Sequence, residues 1–462
     1  AAPRDPNRRG GRTIGRTDFP TRRRRAASSR LAAALLCAGL ANSAVILDAS
    51  AQEAPRPTPA ELDSAAAVRA DLRRPPPRPP TDAVDVIETP FRVALVPVRW
   101  SVETGAGLLG FLTRPEPAPP VRGILAARAW GLDPRLASIG TRSGLGFEVR
   151  LERFAPFFAH SGISIRGSQR HGFGIALGDS ARGVRGGYVW RRDAEDQFWG
   201  LGSDSPEEAG SDFLRDVQEL GAAAWVRPGS DLRLGLGVAF EDSRIDRGFD
   251  GGEPDLQDTF ADDPPFGVGI RGKFVRLDAS AIGDFTRRRG LQTSGSWLRL
   301  GTSLFRGVDG TDSDFHRFEG EARQYVPVSP GQALALRAHL EVNELTDGTD
   351  IPFYQLARLG GARSGPRGFE GGRFRDRTGI VLSAEWRYGI WEDYSGRSGL
   401  EGFLFWDEGG VSRTLGSFST GDLRSSYGVG IRLVGEEGPV GQFYVGFSSE
   451  DTQVRFQVGV TF

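Results

Sequence analysis

From about Ser143 to Phe462 the chain alternates apolar and polar residues with a period of two. Leu232, Leu234, Leu236, Val238 and Phe240 alternate with Arg233, Gly235, Gly237, Ala239 and Glu241. Leu334, Leu336, Ala338, Leu340 and Val342 alternate in the same way with Ala335, Arg337, His339, Glu341 and Asn343. The final segment sets Val454, Phe456, Val458, Val460 and Phe462 against Gln453, Arg455, Gln457, Gly459 and Thr461. Successive side chains of an extended strand point to opposite faces, so one face is apolar and the other carries charge or glycine. Alternation by itself fits a soluble sandwich as well as a membrane barrel. Three features separate them. Strands of about ten residues recur without a helix, where soluble strands average about five or six. Tight turns (Arg227-Pro228-Gly229-Ser230, Val328-Ser329-Pro330-Gly331) alternate with longer polar loops at 249–265 and 409–424. The last strand carries an aromatic-ended signal, Phe456, Val458, Val460 and Phe462. Together they predict an all-β fold, a transmembrane antiparallel β-barrel, because lipid offers unpaired backbone groups no partner and only closed barrels or helices avoid that cost.

With that up-and-down parity, strands are predicted at 143–153, 160–178, 183–193, 211–227, 231–248, 266–284, 290–306, 313–327, 331–345, 376–391, 398–408, 423–433, 440–448 and 453–462. That is 14 strands, or 16 if 160–178 divides and Gln197–Gly202 adds another. An even number follows if both ends are periplasmic.

The N-terminal side follows a different pattern. Arg22–Arg25, the apolar run Leu31–Leu40 and Ala49-Ser50-Ala51 have the order of a secretion signal, so 1–51 is read as leader and signal peptide. No Met occurs in the chain, so residue 1 is not read as an encoded start. The single cysteine, Cys37, falls inside the signal, and the mature chain, expected from near Gln52, needs no disulfide. Residues 52–90 are Pro-rich and read as a periplasmic linker, in which Val84–Glu88 is either a partner-binding peptide or plain linker. Residues 91–140 form a pre-barrel segment whose part Phe91–Leu112 has amphipathic character, and Gly123–Ile139 shows no decisive pattern. The barrel is assigned to 141–462.

Composition narrows the function classes. A formal net charge of −1 argues against nucleic acid as a partner. No Gly-x-Ser-x-Gly elbow is present, and His160, His171, His316 and His339 lack metal-ligand spacing, so neither an enzyme nor a cofactor is expected. The acidic residues Asp250, Glu253, Asp255, Asp258, Asp262 and Asp263 share one outer loop, either solvated or holding divalent cations near lipid headgroups. Arg233, Arg299, Arg337, Arg432 and Arg455 face the lumen, which would favour anions in a passive diffusion channel.

One stretch breaks the alternation. Leu359–Asp376, LGGARSGPRGFEGGRFRD, is rich in glycine and arginine between two regular strands. So much glycine disfavours both helix and strand, and long loops of this kind tend to be functional. On 376–391 the apolar Ile380, Leu382, Ala384, Trp386 and Tyr388 point to lipid, which turns Ser383, Glu385 and Arg387 inward. On 398–408 the same rule turns Glu401, Phe403, Phe405 and Asp407 inward. Glu385 and Asp407 therefore face one space, and the forked guanidinium of Arg367 can meet both. Gly365 and Gly368 would allow the close approach, and Phe369 is expected on Phe403 or Phe405.

Pro366-Arg367-Gly368-Phe369 resembles the (V/I)RG(F/Y) motif of the bacterial surface antigen (BamA/TamA) superfamily of outer-membrane barrels. Phe198-Trp199-Gly200-Leu201-Gly202, Leu359-Gly360-Gly361, Phe374-Arg375-Asp376 and Phe405-Trp406-Asp407-Glu408-Gly409 stand in the matching order, with five predicted strands after the loop. The resemblance covers about 143–462. It implies 16 strands, a loop folded into the lumen, and an arginine paired with acids on the strands that follow. It also implies insertion or translocation of protein or lipid at the outer membrane of a Gram-negative-type bacterium. Expected partners are outer-membrane lipid and lipopolysaccharide and a periplasmic or membrane protein; a structural scaffold is the remaining alternative. The superfamily's periplasmic POTRA domains, mixed helix and sheet, have no counterpart in the pattern of Gln52–Thr141. In the first predicted strand, Gly144 and Gly146 weaken pairing, which fits either a lateral gate against the last strand or ordinary packing on a curved wall.

Overall fold

The computed structural model describes residues 132–458 except 138, 141, 142, 145, 152, 153, 249–252, 290, 393–397, 436 and 437. The segments expected to be signal and linker, most of the expected pre-barrel segment, Val460 and Phe462 lie outside the described residues.

Nineteen strands are described. The wall begins with β1 (Leu132–Ala137), β2 (Gly146–Leu151), β3 (Phe157–Ser164), β4 (Gln169–Gly178) and β5 (Arg182–Phe198). It continues through β6 (Ser211–Val226), β7 (Leu232–Arg247), β8 (Gly272–Asp284), its short extension β9 (Arg287–Arg289), β10 (Gln292–Gly307), β11 (Ser313–Ser329) and β12 (Gln332–Gly348). After the glycine-rich loop, which carries β13 (Ala357–Leu359) and β14 (Phe374–Asp376), come β15 (Thr378–Glu392), β16 (Gly399–Ser412), β17 (Arg424–Gly435), β18 (Gly438–Phe447) and β19 (Thr452–Val458). Each wall strand pairs antiparallel with the next, and β8 with β9 lines a single side of β10. β13 and β14 pair only with each other. Among the described residues the wall therefore has 16 strands.

The predicted total of 16 is reached by a partly different route. Residues 160–178 do divide, at a turn in which Gly167 has φ +82°. Gln197–Gly202 adds no strand: Gln197 and Phe198 end β5, and the chain turns away from the wall after them. The sixteenth strand is β1, six residues long and containing Pro134, too short and interrupted to show a period. β2 is consequently not the first strand. It pairs with β1 on one side and β3 on the other, so the glycines near its start do not lie at the first edge.

The inside–outside distribution is inverted relative to a soluble protein. Leu236, Leu220, Tyr427, Val454 and Trp406 are 68, 61, 62, 58 and 54% exposed, whereas Arg375, Arg432, Glu385 and Asp407 are 0–1% exposed. Charge inside and a continuous apolar outer face are what a lipid-embedded barrel requires. Side chains from distant strands meet across the interior: at the short-turn end Arg288 Nη1 donates to Gly435 O at 2.8 Å. At the long-loop end, Arg424 of β17 pairs with Asp204, which follows β5. Loop 349–377 projects between these walls, and that placement sets up the site.

Candidate functional site

The loop leaves β12, makes a tight turn at Phe353–Gln355, and doubles back through the β13–β14 ladder, where Ala357 lies opposite Asp376 and Leu359 opposite Phe374. Between those short strands sit a one-turn helix, Gly361–Ser364, and the Pro366-Arg367-Gly368-Phe369 motif. Gly365 has φ +68°, a region open to glycine at little cost. At Gly368 a Cβ would lie 2.7 Å from Ser426 Cβ and 2.6 Å from Phe447 O, so only glycine lets the motif lie this close to β17 and β18.

Arg367 reaches both acids that the alternation turned inward. Its Nε and Nη2 donate to Asp407 Oδ2 and Oδ1, each at 2.7 Å, a two-pronged pairing, and its backbone N–H donates to Oδ2 at 3.0 Å. Its Nη1 donates to Glu385 Oε1. The guanidinium lies 3.9 Å over the Phe405 ring. Glu385 is also shared by two arginines that the alternation turned inward without assigning them a partner. Arg387 Nε donates to its Oε2 at 2.9 Å, and Arg432 Nη2 reaches the same carboxylate at 3.2 Å. Arg432 hands the network on to Gln442 at 3.1 Å, and Gln442 to Gln457 at 3.1 Å, so it extends to β19. Buried charges persist only when neutralised and hydrogen-bonded, and here each acid is matched by at least one guanidinium.

Phe369 is placed differently from the expectation. It stacks edge-on against Phe374, with centroids 5.1 Å apart, in a cluster with Leu359, Val381 and Val411. Phe403 and Phe405 pack instead with Tyr444, because the face of Phe405 is taken by Arg367. Pro366 closes on Gly409, whose added Cβ would meet its ring at 3.0 Å. Phe456 lies opposite Phe443 and Val458 opposite Gly441 on the final ladder.

The opposite wall holds the loop by a second set of contacts. Asp196, at the end of β5, takes Arg358 Nη1 at 2.9 Å and Arg375 Nη2 at 3.3 Å. Arg375 Nη2 also donates to Gln197 O at 2.9 Å, and Gly202 N to Arg375 O at 2.8 Å. Above them an aromatic dome gathers Phe198, Phe213, Phe274, Phe305 and Phe315 from the wall and Phe353 from the loop. Gln355 Nε2 donates to Glu241 Oε1 at 2.7 Å, and Arg317 Nη2 to Gln355 O. None of this second anchor was predicted; the FWGLG and FRD segments are the nearest signal, since both border it.

The remaining candidates are ordinary wall or loop residues. His339 sits 3.7 Å from Glu321 on the inner wall. Arg247 engages Asp255 and Asp258 at 2.8 and 2.9 Å, and no group of three or more His, Cys, Asp or Glu suited to a metal occurs among the described residues. Of the lumenal arginines proposed to favour anions, Arg299 pairs with Glu319, Arg337 with Glu321, Arg432 with Glu385 and Arg455 with Glu370.

A family model described as the Omp85 superfamily domain matches residues 276–462, which contain the loop and both acids that meet Arg367. No curated protein matches the chain. Among solved structures, BamA from Haemophilus ducreyi lacking POTRA domains 1–3 is similar with TM-score 0.51 and 15% identity, covering 71% of this chain and 69% of that one. CdiB from Escherichia coli is similar with TM-score 0.47 and 14% identity over 71% of this chain, and CdiB from Acinetobacter baumannii with TM-score 0.41 and 10% identity over 69%. The chain spans 62% and 57% of those two CdiB chains. Residues 276–462 are thus similar to the Omp85 superfamily domain, and the fold that contains them is a BamA-like β-barrel.

Proposed function

We propose that this barrel assists insertion or translocation of protein or lipid at the outer membrane of a Gram-negative-type bacterium, with Pro366, Arg367, Gly368 and Phe369 as an internal latch on Glu385 and Asp407. The observation that carries the reading is the placement of Arg367, fully inside the barrel and held by both acids, which leaves the loop across the lumen. A loop fixed there suits a translocator that is closed at rest. The role needs no chemistry from the chain, only a passage or a wall that a substrate can displace. Val460 and Phe462, with Phe456 and Val458, would serve as the strand signal for the barrel's own assembly. A passive anion channel would need cations free along the lumen, and four of the five arginines that suggested one are paired.

The test is planar-bilayer conductance of the barrel before and after deletion of 363–375, run beside insertion of an unfolded outer-membrane barrel into proteoliposomes. A latched translocator conducts only after the deletion and accelerates insertion when intact. Steady conductance by the intact protein with no acceleration would reject the reading in favour of a diffusion channel.

A further inference from the structure

The connection between β8 and β10 does not stay with its own strands. β9 (Arg287–Arg289) continues from β8, and the chain returns to β10 through Leu291, at the short-turn end, where a turn ordinarily meets water. Leu291 is nevertheless only 6% exposed. Its cover comes from other hairpins. A Cβ added at Gly399, the first residue of β16, would lie 2.8 and 2.9 Å from the two Leu291 methyls, and one at Gly389 of β15 would lie 3.6 Å from the first of them. Both positions lack a side chain, which leaves the seat that Leu291 fills. Arg288 reaches further, its Nη1 donating at 2.8 Å to the carbonyl of Gly435, the last residue of β17. Gln292 pins the near end: its Nε2 donates to Ser329 O at 2.9 Å and to Gln332 O at 2.7 Å, on either side of the β11–β12 turn.

In the wall β10 is followed by β11, β12, β15, β16 and β17, so Gly435 stands five strands along from β10. A turn that touches strands so far apart on a curved wall runs along a chord, over the opening. The charge of Arg288 also acts on Glu401, which lies 3.8 Å from Arg432, and Arg432 shares Glu385 with Arg367. The turn at one end of the barrel and the loop from the other thus meet in one ionic network.

We propose that the turn carrying Arg288 and Leu291 is a strap over the short-turn mouth, seated by Leu291 on Gly389 and Gly399 and hooked by Arg288 on Gly435, and that it narrows the passage in series with the loop that carries Arg367. The seat is one leucine side chain and the hook one hydrogen bond to a neutral carbonyl, whereas Arg367 is bonded to two buried carboxylates. Bonds between charged partners are the stronger kind, so the strap is the closure that yields first. The proposal shares with the proposed function only the premise that the lumen is a passage, and it makes no claim about what passes.

The test compares the full chain in planar bilayers as the intact protein, as the double variant Arg288→Ala with Leu291→Ala, as the 363–375 deletion, and as the deletion combined with that double variant. The double variant alone should stay silent, because the loop still crosses the lumen. Combined with the deletion it should raise unitary conductance about twofold or more over the deletion alone, since removing an apolar constriction widens and wets a pore. Equal unitary conductance with and without the strap contacts, or a silent combined variant, would overturn the proposal. So would conductance by the double variant with the loop in place while the intact protein is silent, because the two closures would then not act in series. Should the intact protein itself conduct, the latch reading fails and the strap is judged by itself: the double variant must then exceed the intact protein by the same factor, and equality sinks it. A heat-resistant folded band on a semi-native gel establishes that each protein is folded; if the double variant is not, Arg288→Ala alone, with Leu291 left seated, is held to the same comparison.

Discussion

The loop that crosses the barrel is held at its two ends by opposite kinds of chemistry. On the β15–β17 side the grip is ionic, with Arg367 between Glu385 and Asp407 and with Arg387 and Arg432 drawn to the same carboxylate. On the β5–β11 side the grip is mostly apolar, Phe353 set among Phe198, Phe213 and Tyr354 with centroids 5.0–5.6 Å apart, and one acid, Asp196, beneath. Aromatic packing tolerates small shifts, since its energy depends on area and only loosely on angle. A two-pronged arginine–carboxylate pair does not, because its hydrogen bonds weaken steeply off-line. The dome therefore supplies adhesion and the arginine supplies position. Glu401, 3.8 Å from Arg432, brings the carboxylates to three against three guanidiniums, and a network balanced when whole and strongly unfavourable when one member is missing also behaves as a two-state catch, which an apolar surface does not.

Removing Arg367 should have the largest effect. Arg367→Ala leaves Asp407 wholly buried without its two-pronged partner, and breaking a buried pair from one side costs about 3–5 kcal/mol. The heat-resistant folded band on a semi-native gel should shift to a markedly lower temperature, and bilayer conductance should appear. Arg367→Lys should recover little, because an ammonium cannot serve both oxygens of Asp407 and Glu385 together. Unchanged melting and a silent bilayer would remove the ionic side of the comparison.

Next in size is Phe353→Ala. Truncating a phenylalanine in a packed core costs about 3–5 kcal/mol, and the value here should fall at the low end, since the dome borders an exposed loop end and can relax. The two anchors should separate by readout: Phe353→Ala should lower the melting temperature while the bilayer stays silent, because Arg367 still fixes the motif. Conductance in Phe353→Ala equal to that in Arg367→Ala would show that position and adhesion are not divided between the walls.

The ionic anchor was legible from sequence and the apolar one was not, for a physical reason. A strict period of two assigns a face to each residue without knowledge of strand order, so Glu385 and Asp407 could be turned inward from Trp386 and Trp406 alone. Arg432 was also turned inward, but its partner could not be chosen, because Glu385 is two strands away. Asp196 lies beyond a bulge between Asp193 and Asp196 that breaks the face rule just where the second anchor begins. Phe353 and Phe369 sit in loops, where no period assigns a direction, and Phe369 accordingly went to Phe374. The short β1 carries too few residues for alternation to register.

Asp196→Asn tests the polar footing of the second anchor and should be milder. Arg375 keeps its bond to Gln197 O and its place over Phe213, and Arg358 is partly exposed, so water can replace what it loses. A charged hydrogen bond of this kind is worth about 1.5–3 kcal/mol, which predicts a melting shift smaller than that of Phe353→Ala and no conductance. A larger shift than Arg367→Ala would make Asp196 the principal anchor and invert the comparison.

The smallest effect is expected away from both anchors. Arg299 and Glu319 pair at 3.4 Å on the inner wall with Arg299 half exposed, and exposed pairs contribute about 0–1 kcal/mol. Arg299→Ala should leave the melting temperature nearly unchanged. Its sharper use is in the channel formed once 363–375 is deleted. If charge in that lumen resides in neutral pairs, the deletion channel should show weak ion preference, and adding Arg299→Ala, which frees Glu319, should turn it toward cations. A strong anion preference that Arg299→Ala abolishes would mean that the wall arginines act as free charges once the loop is gone. The pairing would then be a consequence of the closed state, and the loop, more than the wall, would set the electrostatics of the passage.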